Sequence, residues 1–304
     1  MSKLRRVLAA VDFSEPARAA FDHALSLSRL HDAELIVVHA VPTDRQFNWH
    51  ARERIALIAA LRHAAQTAGV RFTVSVQHGD PAGVILLHAT SRGADLIVLG
   101  SSTRSGFDRF RFGSVAETIA REATQPVLVV PAAAGGIIDS TTPFKNILVA
   151  VDFGEGSSAA VERALSMANG ESRVTLVHVV RDVPYERSFR YPYHLMEPEY
   201  QRNLARVAWR RIAALVPADA TTARRVHARV VTGEPTAEIS RVAAEVDADL
   251  TLMGVTARGA IGRLIMGSTA ARVIRTSGRP VLAMPQLAGK PAAAYEEDQS
   301  AVAA

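Results

Sequence analysis

Short apolar runs rich in β-branched residues recur along the chain, and between them the apolar positions fall at helical spacing. In the first half the runs are RRVLAAV, AELIVVHAV, RFTVSVQ, DLIVLG and PVLVV. Each has the length of a strand and is apolar on successive residues, as expected of strands buried on both faces. The segment EPARAAFDHALSLSRL carries Pro16 in its first turn and Phe21 and Leu25 at helical spacing. RERIALIAALRHAAQTAG runs to Gly69, a helix stop. PAGVILLHATSRG and SVAETIAREA supply two further helices. Strand and helix in alternation predict a parallel, doubly wound α/β sheet with helices on both sides.

The second half repeats the first. RRVLAAVDFSEPARAAFDHALSL is matched by KNILVAVDFGEGSSAAVERALSM, GDPAGVI by GEPTAEI, and GADLIVLGSSTRSG by DADLTLMGVTARGA. RFRFGSVAETIAREATQPVLVVP is matched by RLIMGSTAARVIRTSGRPVLAMP, and the order of blocks is the same. A repeat this long describes two tandem domains rather than a solenoid unit. We place them at residues 1–134 and 144–287, joined by AAAGGIIDSTTP and followed by a disordered tail at 288–304. The fold class is therefore two tandem five-stranded parallel-sheet α/β domains. Asp12 and Asp152 are 140 residues apart but Gly100 and Gly254 are 154 apart, so the second copy carries an insertion near RDVPYERSFRYPYHLMEPEY. Its prolines forbid one long helix. It is expected to form a lid over the second site, with Tyr191 and Tyr193 as contacts, or else a surface loop packing its own aromatics.

Composition narrows the chemistry. With no cysteine there is no disulfide, thiolate nucleophile or Cys-ligated zinc. No run approaches a membrane span and the N-terminus lacks a signal-peptide apolar region, so a soluble cytoplasmic protein without membrane association is expected. The net charge of +5 invites a nucleic-acid reading, but the arginines are scattered among 30 acidic residues. Arg202, Arg206 and Arg210 share one helical face without interleaved stacking aromatics, which argues for a solvated face over a nucleic-acid partner.

The segment GSSTRSGFDRFRFGS, residues 100–114, joins a strand to a helix through a glycine turn and a Gly-Ser pair, the layout of an anion site. The VDFSEPA and VDFGEGS blocks, His39 and His178 at strand ends, the long glycine loops and the closing PVLVVP and PVLAMP resemble the universal stress protein family over nearly the whole chain. That resemblance implies a five-stranded parallel α/β fold. Many members bind ATP and act in stress survival; others lack nucleotide and act as dimeric regulators. The resemblance implies ATP, with Mg, as the ligand. It places it against Ala10, Asp12, Ala40, Gly100, Gly113, Ser114 and Val115 in the first copy. In the second it points to Ala150, Asp152, Val179, Gly254, Gly267, Ser268 and Thr269.

Nucleotide-binding members carry a further glycine in the loop, where this chain has Thr103 and Ala257. If that position needs positive φ, alanine costs on the order of 1–2 kcal/mol and β-branched threonine more. If the side chain meets the phosphates, the site fails. The smaller Ala257 favours the second copy as the stronger site. Gly106 and Gly259 are neighbouring sources of flexibility. Arg104 and Arg258, like Arg109 and Arg263, either lean towards phosphate or serve as solvated cations. Asp12 and Asp152 stand where ligands of open α/β sheets bind, and they also suit capping of the next helix.

No Walker A motif, Gly-x-Ser-x-Gly elbow or His-x-x-x-His pair is present, so an enzyme is not indicated, although slow ATP hydrolysis stays open. His39 and His178 read as packed histidines bonded to the neighbouring loop rather than as bases. The expected function is stress-linked regulation through adenine nucleotide, with a nucleotide-free interaction scaffold as the alternative. The closing strands at 126–131 and 280–285 are expected to pair with each other, since exposed apolar edges invite pairing. This would give an intramolecular pseudo-dimer, leaving a homo-oligomer or a regulatory protein partner open.

Overall fold

The computed structural model describes residues 4–43, 51–101, 113–134, 144–181, 198–218, 224–255 and 267–285. The first copy runs β1 (Arg6–Ala10), α1 (Glu15–His31), β2 (Glu34–Val41), α2 (Ala51–Thr67), β3 (Phe72–His78), α3 (Pro81–Ser91), β4 (Leu96–Ser101), α4 (Ser114–Glu122) and β5 (Val127–Pro131). The second runs β6 (Asn146–Ala150), α5 (Glu155–Met167), β7 (Arg173–Arg181), α6 (Pro198–Ala213), β8 (Val226–Gly233), α7 (Pro235–Glu245), β9 (Leu250–Val255), α8 (Ser268–Thr276) and β10 (Val281–Pro285). All five apolar runs of the first half are strands. Residues 102–112, 182–197, 256–266 and 286–304 lie outside the described residues. The expectations for Thr103, Arg104, Gly106, Arg109, Ala257, Arg258, Gly259, Arg263, Tyr191, Tyr193 and the tail fall there.

The strands form one sheet in the order β3-β2-β1-β4-β5-β10-β9-β6-β7-β8. Within each copy the pairing is parallel. Among the described residues the one antiparallel contact is the seam between the copies, where Val281 faces Val129, Leu282 faces Leu128 and Ala283 faces Val127. The expected pairing of the closing strands is thus observed, confined to their middles because Pro126, Pro131, Pro280 and Pro285 bracket them. Two apolar layers cover the sheet, and each runs across the seam. One holds Phe21, Leu27, Leu128, Ile212 and Leu282; the other holds Ile85, Ile119, Val129, Val273 and Val281.

The two copies are pinned alike at the ends of the strands opposite the long loops. Asp95 accepts hydrogen bonds from the amides of Arg5 and Arg6 at 2.7 and 2.9 Å. Asp249 does the same for Lys145 and Asn146 at 2.7 and 2.8 Å. Each therefore ties the start of its copy's first strand to the start of the fourth. The GDP and GEP blocks are turns into α3 and α7. Gly79 and Gly233 take positive φ of 145° and 151°, and Asp80 and Glu234 cap the helices that follow.

Leu128 and Leu282 are both almost fully buried and face each other across the seam. Leu128→Ala and Leu282→Ala should each lower stability by about 2–5 kcal/mol. Because the pair is in contact, the double variant should depart from additivity by about 0.5 kcal/mol or more. Urea denaturation of the four proteins measures both; strict additivity would contradict a packed seam.

Candidate functional site

In each half, the strand order reverses direction between the first and fourth strands, β1 and β4 or β6 and β9. Open α/β sheets form their ligand crevice beyond the carboxyl ends of such a pair. In the first copy a cavity of about 700 Å³ lies there. Every residue expected at the first site lines it: Ala10, Asp12, Ala40, Gly100, Gly113, Ser114 and Val115. Sequence reasoning did not single out Phe13, Arg54, Leu57, Pro81, Ile85 or Ile119, which also line it. The counterparts in the second copy occupy the same topological places. Ala150 ends β6, Val179 is in β7, Gly254 is in β9, and Ser268 and Thr269 open α8 behind Gly267.

The site depends on how closely α1 and α5 approach the sheet. A Cβ on Gly100 would lie 2.4 Å from the carbonyl carbon of Pro16 and 2.7 Å from the nitrogen of Ala17. One on Gly254 would lie 2.5 Å from the carbonyl carbon of Gly156 and 2.6 Å from the nitrogen of Ser157. These two glycines, near the ends of β4 and β9, are thus required by helix–strand packing, whatever binds nearby. Gly267 is different. Its φ is −58°, which any residue adopts, and an added Cβ meets nothing within 4 Å among the described residues. Gly113 also has an ordinary φ, −62°. Neither backbone conformation needs glycine.

Asp12 does not cap α1; that role falls to Ser14, whose side chain accepts from the Ala17 amide. Asp12 instead braces the turn: its Oδ1 accepts from the Ser14 amide at 3.1 Å and from the Ser14 hydroxyl. In the second copy Asp152 Oδ1 accepts from the Gly154 amide at 2.9 Å, and Gly154, at the cap position, offers no side chain. Between each aspartate and the helix stands a phenylalanine in the left-handed region, Phe13 at φ 64° and Phe153 at φ 63°. The ring of Phe13 lies against His39 at 4.6 Å and that of Phe153 against His178 at 4.4 Å. The signal for both was the repeated VDF, read for its aspartate alone.

His39 Nδ1 donates to the Val11 carbonyl at 2.8 Å and His178 Nδ1 to the Val151 carbonyl at 2.7 Å. Burial pushes both imidazoles below their ordinary titration range. The carbonyl hydrogen bonds and Asp12 or Asp152 oppose the shift, while Arg54 or Arg211 adds to it. The packed role expected of these histidines is the one observed. Arg211 also sits over the Phe153 ring, 4.2 Å from its centroid. Among the described residues no group of three or more His, Asp or Glu side chains is placed to hold a metal ion. No described helix is long and apolar enough to cross a membrane.

The family model for the universal stress protein family matches residues 3–131 and 143–285. A universal stress protein of Bacillus subtilis is 31% identical over 144 residues, 41% of this chain and 97% of that protein. One from Methanocaldococcus jannaschii is 29% identical over 138 residues, 41% of this chain and 81% of its own length. Each of these alignments thus spans the length of a single copy. Among solved structures, a universal stress protein from Archaeoglobus fulgidus superposes with a TM-score of 0.68 at 21% identity, covering 92% of this chain and 98% of that one. A putative universal stress protein from Pseudomonas aeruginosa gives 0.63 at 19% identity, covering 93% and 94%. The tandem architecture is therefore shared with solved proteins of similar length.

Two outcomes follow. Gly100→Ala should destabilise the fold by about 1–3 kcal/mol, because backbone atoms of α1 must retreat; an unchanged urea midpoint would contradict the close approach. For the histidines, the unfolded chain restores a pKa of about 6.5, so near pH 6 it binds more protons than the folded chain. Stability should be full above about pH 6.5 and fall as the pH drops towards the lower folded values. Urea midpoints between pH 7.5 and 5.5 should show this decline, and His39→Gln with His178→Gln should reduce it, leaving the part due to His23, which burial also pushes down. An equal decline in the double variant would assign the effect elsewhere.

Proposed function

From its membership of the universal stress protein family, to which the chain belongs in both halves, we propose that it is a cytoplasmic stress-response regulator that binds an adenine nucleotide, ATP. The observation that carries this reading is the first-copy cavity. Its volume of about 700 Å³ falls within the range of small-molecule sites, and its lining is mainly apolar with a few polar groups. Ala10, Ala40 and Val41 offer an apolar wall for a base, and Asp12 stands beside them as an acceptor for ribose or base donors. Across the cavity, Gly113 and Ser114 present the N-terminus of α4, where unpaired amides and the helix dipole favour phosphate. Glycine at 113 and 267 without a backbone need for it supports close approach by a ligand. Magnesium would arrive with the triphosphate.

The second copy is proposed to bind through Asp152, Gly254, Gly267, Ser268 and Thr269, more tightly because Ala257 crowds the loop less than Thr103. Gly254 serves there by letting α5 reach the strand end. Its partner aspartate lacks a serine brace, a difference confined to the base end of the site. Phosphates carry most of the ligand's charge, so the loop sets the ranking.

The test is calorimetry with MgATP, beside mass analysis of small molecules released from the purified protein on denaturation. Gly113→Asp and Gly267→Asp should each remove their own site, since a carboxylate there repels phosphate. Aspartate is a good N-cap, so both variants should stay folded. Ala257→Gly should tighten the second site by up to about tenfold. ATP binding unchanged in the Gly113→Asp, Gly267→Asp double variant would remove these helix termini from the site.

A further inference from the structure

The two copies are related by an approximate two-fold axis at the seam, but among the described residues one contact across it occurs once rather than twice. Arg275, in the last turn of α8, donates through Nη2 to Glu117 Oε2 at 3.1 Å, linking residues 158 positions apart in different copies. Glu117 lies in the first turn of α4. In the repeat, Glu117 corresponds to Ala271 and Arg275 to Arg121. The symmetry-related contact therefore has a cation and no anion, and Arg121 pairs with its own neighbour Glu122 at 3.2 Å.

Glu117 is out of place electrostatically if α4 holds phosphate. It is three residues from Ser114, so the two lie on the same stripe of the helix with Cβ atoms about 5–6 Å apart. Ser114, Val115 and Ala116 line the cavity. A carboxylate at that point suits an isolated helix, because it complements the positive end of the dipole. For the same reason it competes with an anionic ligand for that end. The second copy has no such residue: Ala271 leaves the first turn of α8 uncharged.

We propose that Arg275 is a positioning residue for the first-copy nucleotide site, supplied by the other copy: it neutralises Glu117 so that the N-terminus of α4 accepts phosphate. The proposal rests on the nucleotide reading above and adds a coupling between the copies to it. The second copy thus contributes a residue to the first site, whereas the first turn of α8 has no acidic residue for a residue of the first copy to neutralise. Both partners are partly exposed, with side chains at 41% and 38%, so the bridge adds little to stability. Its effect falls instead on a highly charged ligand close by. One uncompensated charge at ~8 Å from a phosphate group of about −2 in a water-like dielectric weakens binding roughly fivefold.

The experiment is MgATP titration of the Gly267→Asp protein, in which only the first site remains, with and without Arg275→Gln. At low ionic strength Arg275→Gln should raise Kd about fivefold. Adding Glu117→Gln should restore the starting affinity, and Arg275→Lys should retain most of it. At about 0.5 M salt the difference should shrink towards unity. A merely structural bridge would move the urea midpoint without this salt dependence or this rescue. If the first site binds ATP and Arg275→Gln leaves Kd within twofold, the coupling is overturned and the nucleotide reading stands. If Glu117→Gln fails to rescue, Arg275 acts by another route and the proposal is equally overturned. If no ATP binds at the first site in the parent protein, the proposal and the nucleotide reading of that site fall together.

Discussion

Three residue pairs between β5 and β10 join the two halves of the chain, and the arrangement of the molecule follows from them. Paired antiparallel, the closing strands convert two five-stranded sheets into one sheet of ten and remove what would otherwise be two exposed apolar edges. The apolar layers on both faces become continuous across the join, through Leu128 and Leu282 on one side and Val129 and Val281 on the other. The same pairing brings the last turn of α8 to the first turn of α4, where Arg275 meets Glu117.

Within each copy the site is assembled by a second constraint, the absence of a side chain at Gly100 and Gly254. It lets α1 and α5 start close to the strand ends and sets the turn that carries Asp12 or Asp152. The turn is strained, because a phenylalanine in the left-handed region costs about 1–2 kcal/mol. Opposing this are the ring contact with the histidine, worth about 0.5–1.5 kcal/mol for an aromatic pair, and the aspartate's hydrogen bonds to the amides beyond it. The half-buried histidine is thereby committed to its carbonyl partner and to packing.

Much of this was legible in the sequence because the repeat tests each reading twice. The strands stood out as continuous apolar runs, and the seam followed from apolar closing strands bracketed by prolines. The seven residues expected at the first site line one cavity. Less legible were features that depend on close approach in space. Gly100 and Gly254 were read as phosphate glycines, yet their need lies in backbone contact with a helix distant in sequence. Of the two roles the sequence suggests for Asp12, the cap falls to Ser14, which the aspartate braces. Phe13 and Phe153 passed unremarked because no local propensity places phenylalanine at positive φ. The Arg275 bridge joins residues 158 apart, and only the seam shows that they meet.

Hydrogen exchange of the whole chain with and without MgATP tests the central claim most directly. The first amides of a helix have no intrahelical partner, so they exchange freely unless something else binds them. If phosphates rest on α4 and α8, exchange should slow at 114–116 and 268–270, and around Asp12 and Asp152 at the other end of each site. Saturating MgATP that leaves all four segments unchanged, or protects only regions remote from the strand ends, would contradict the account.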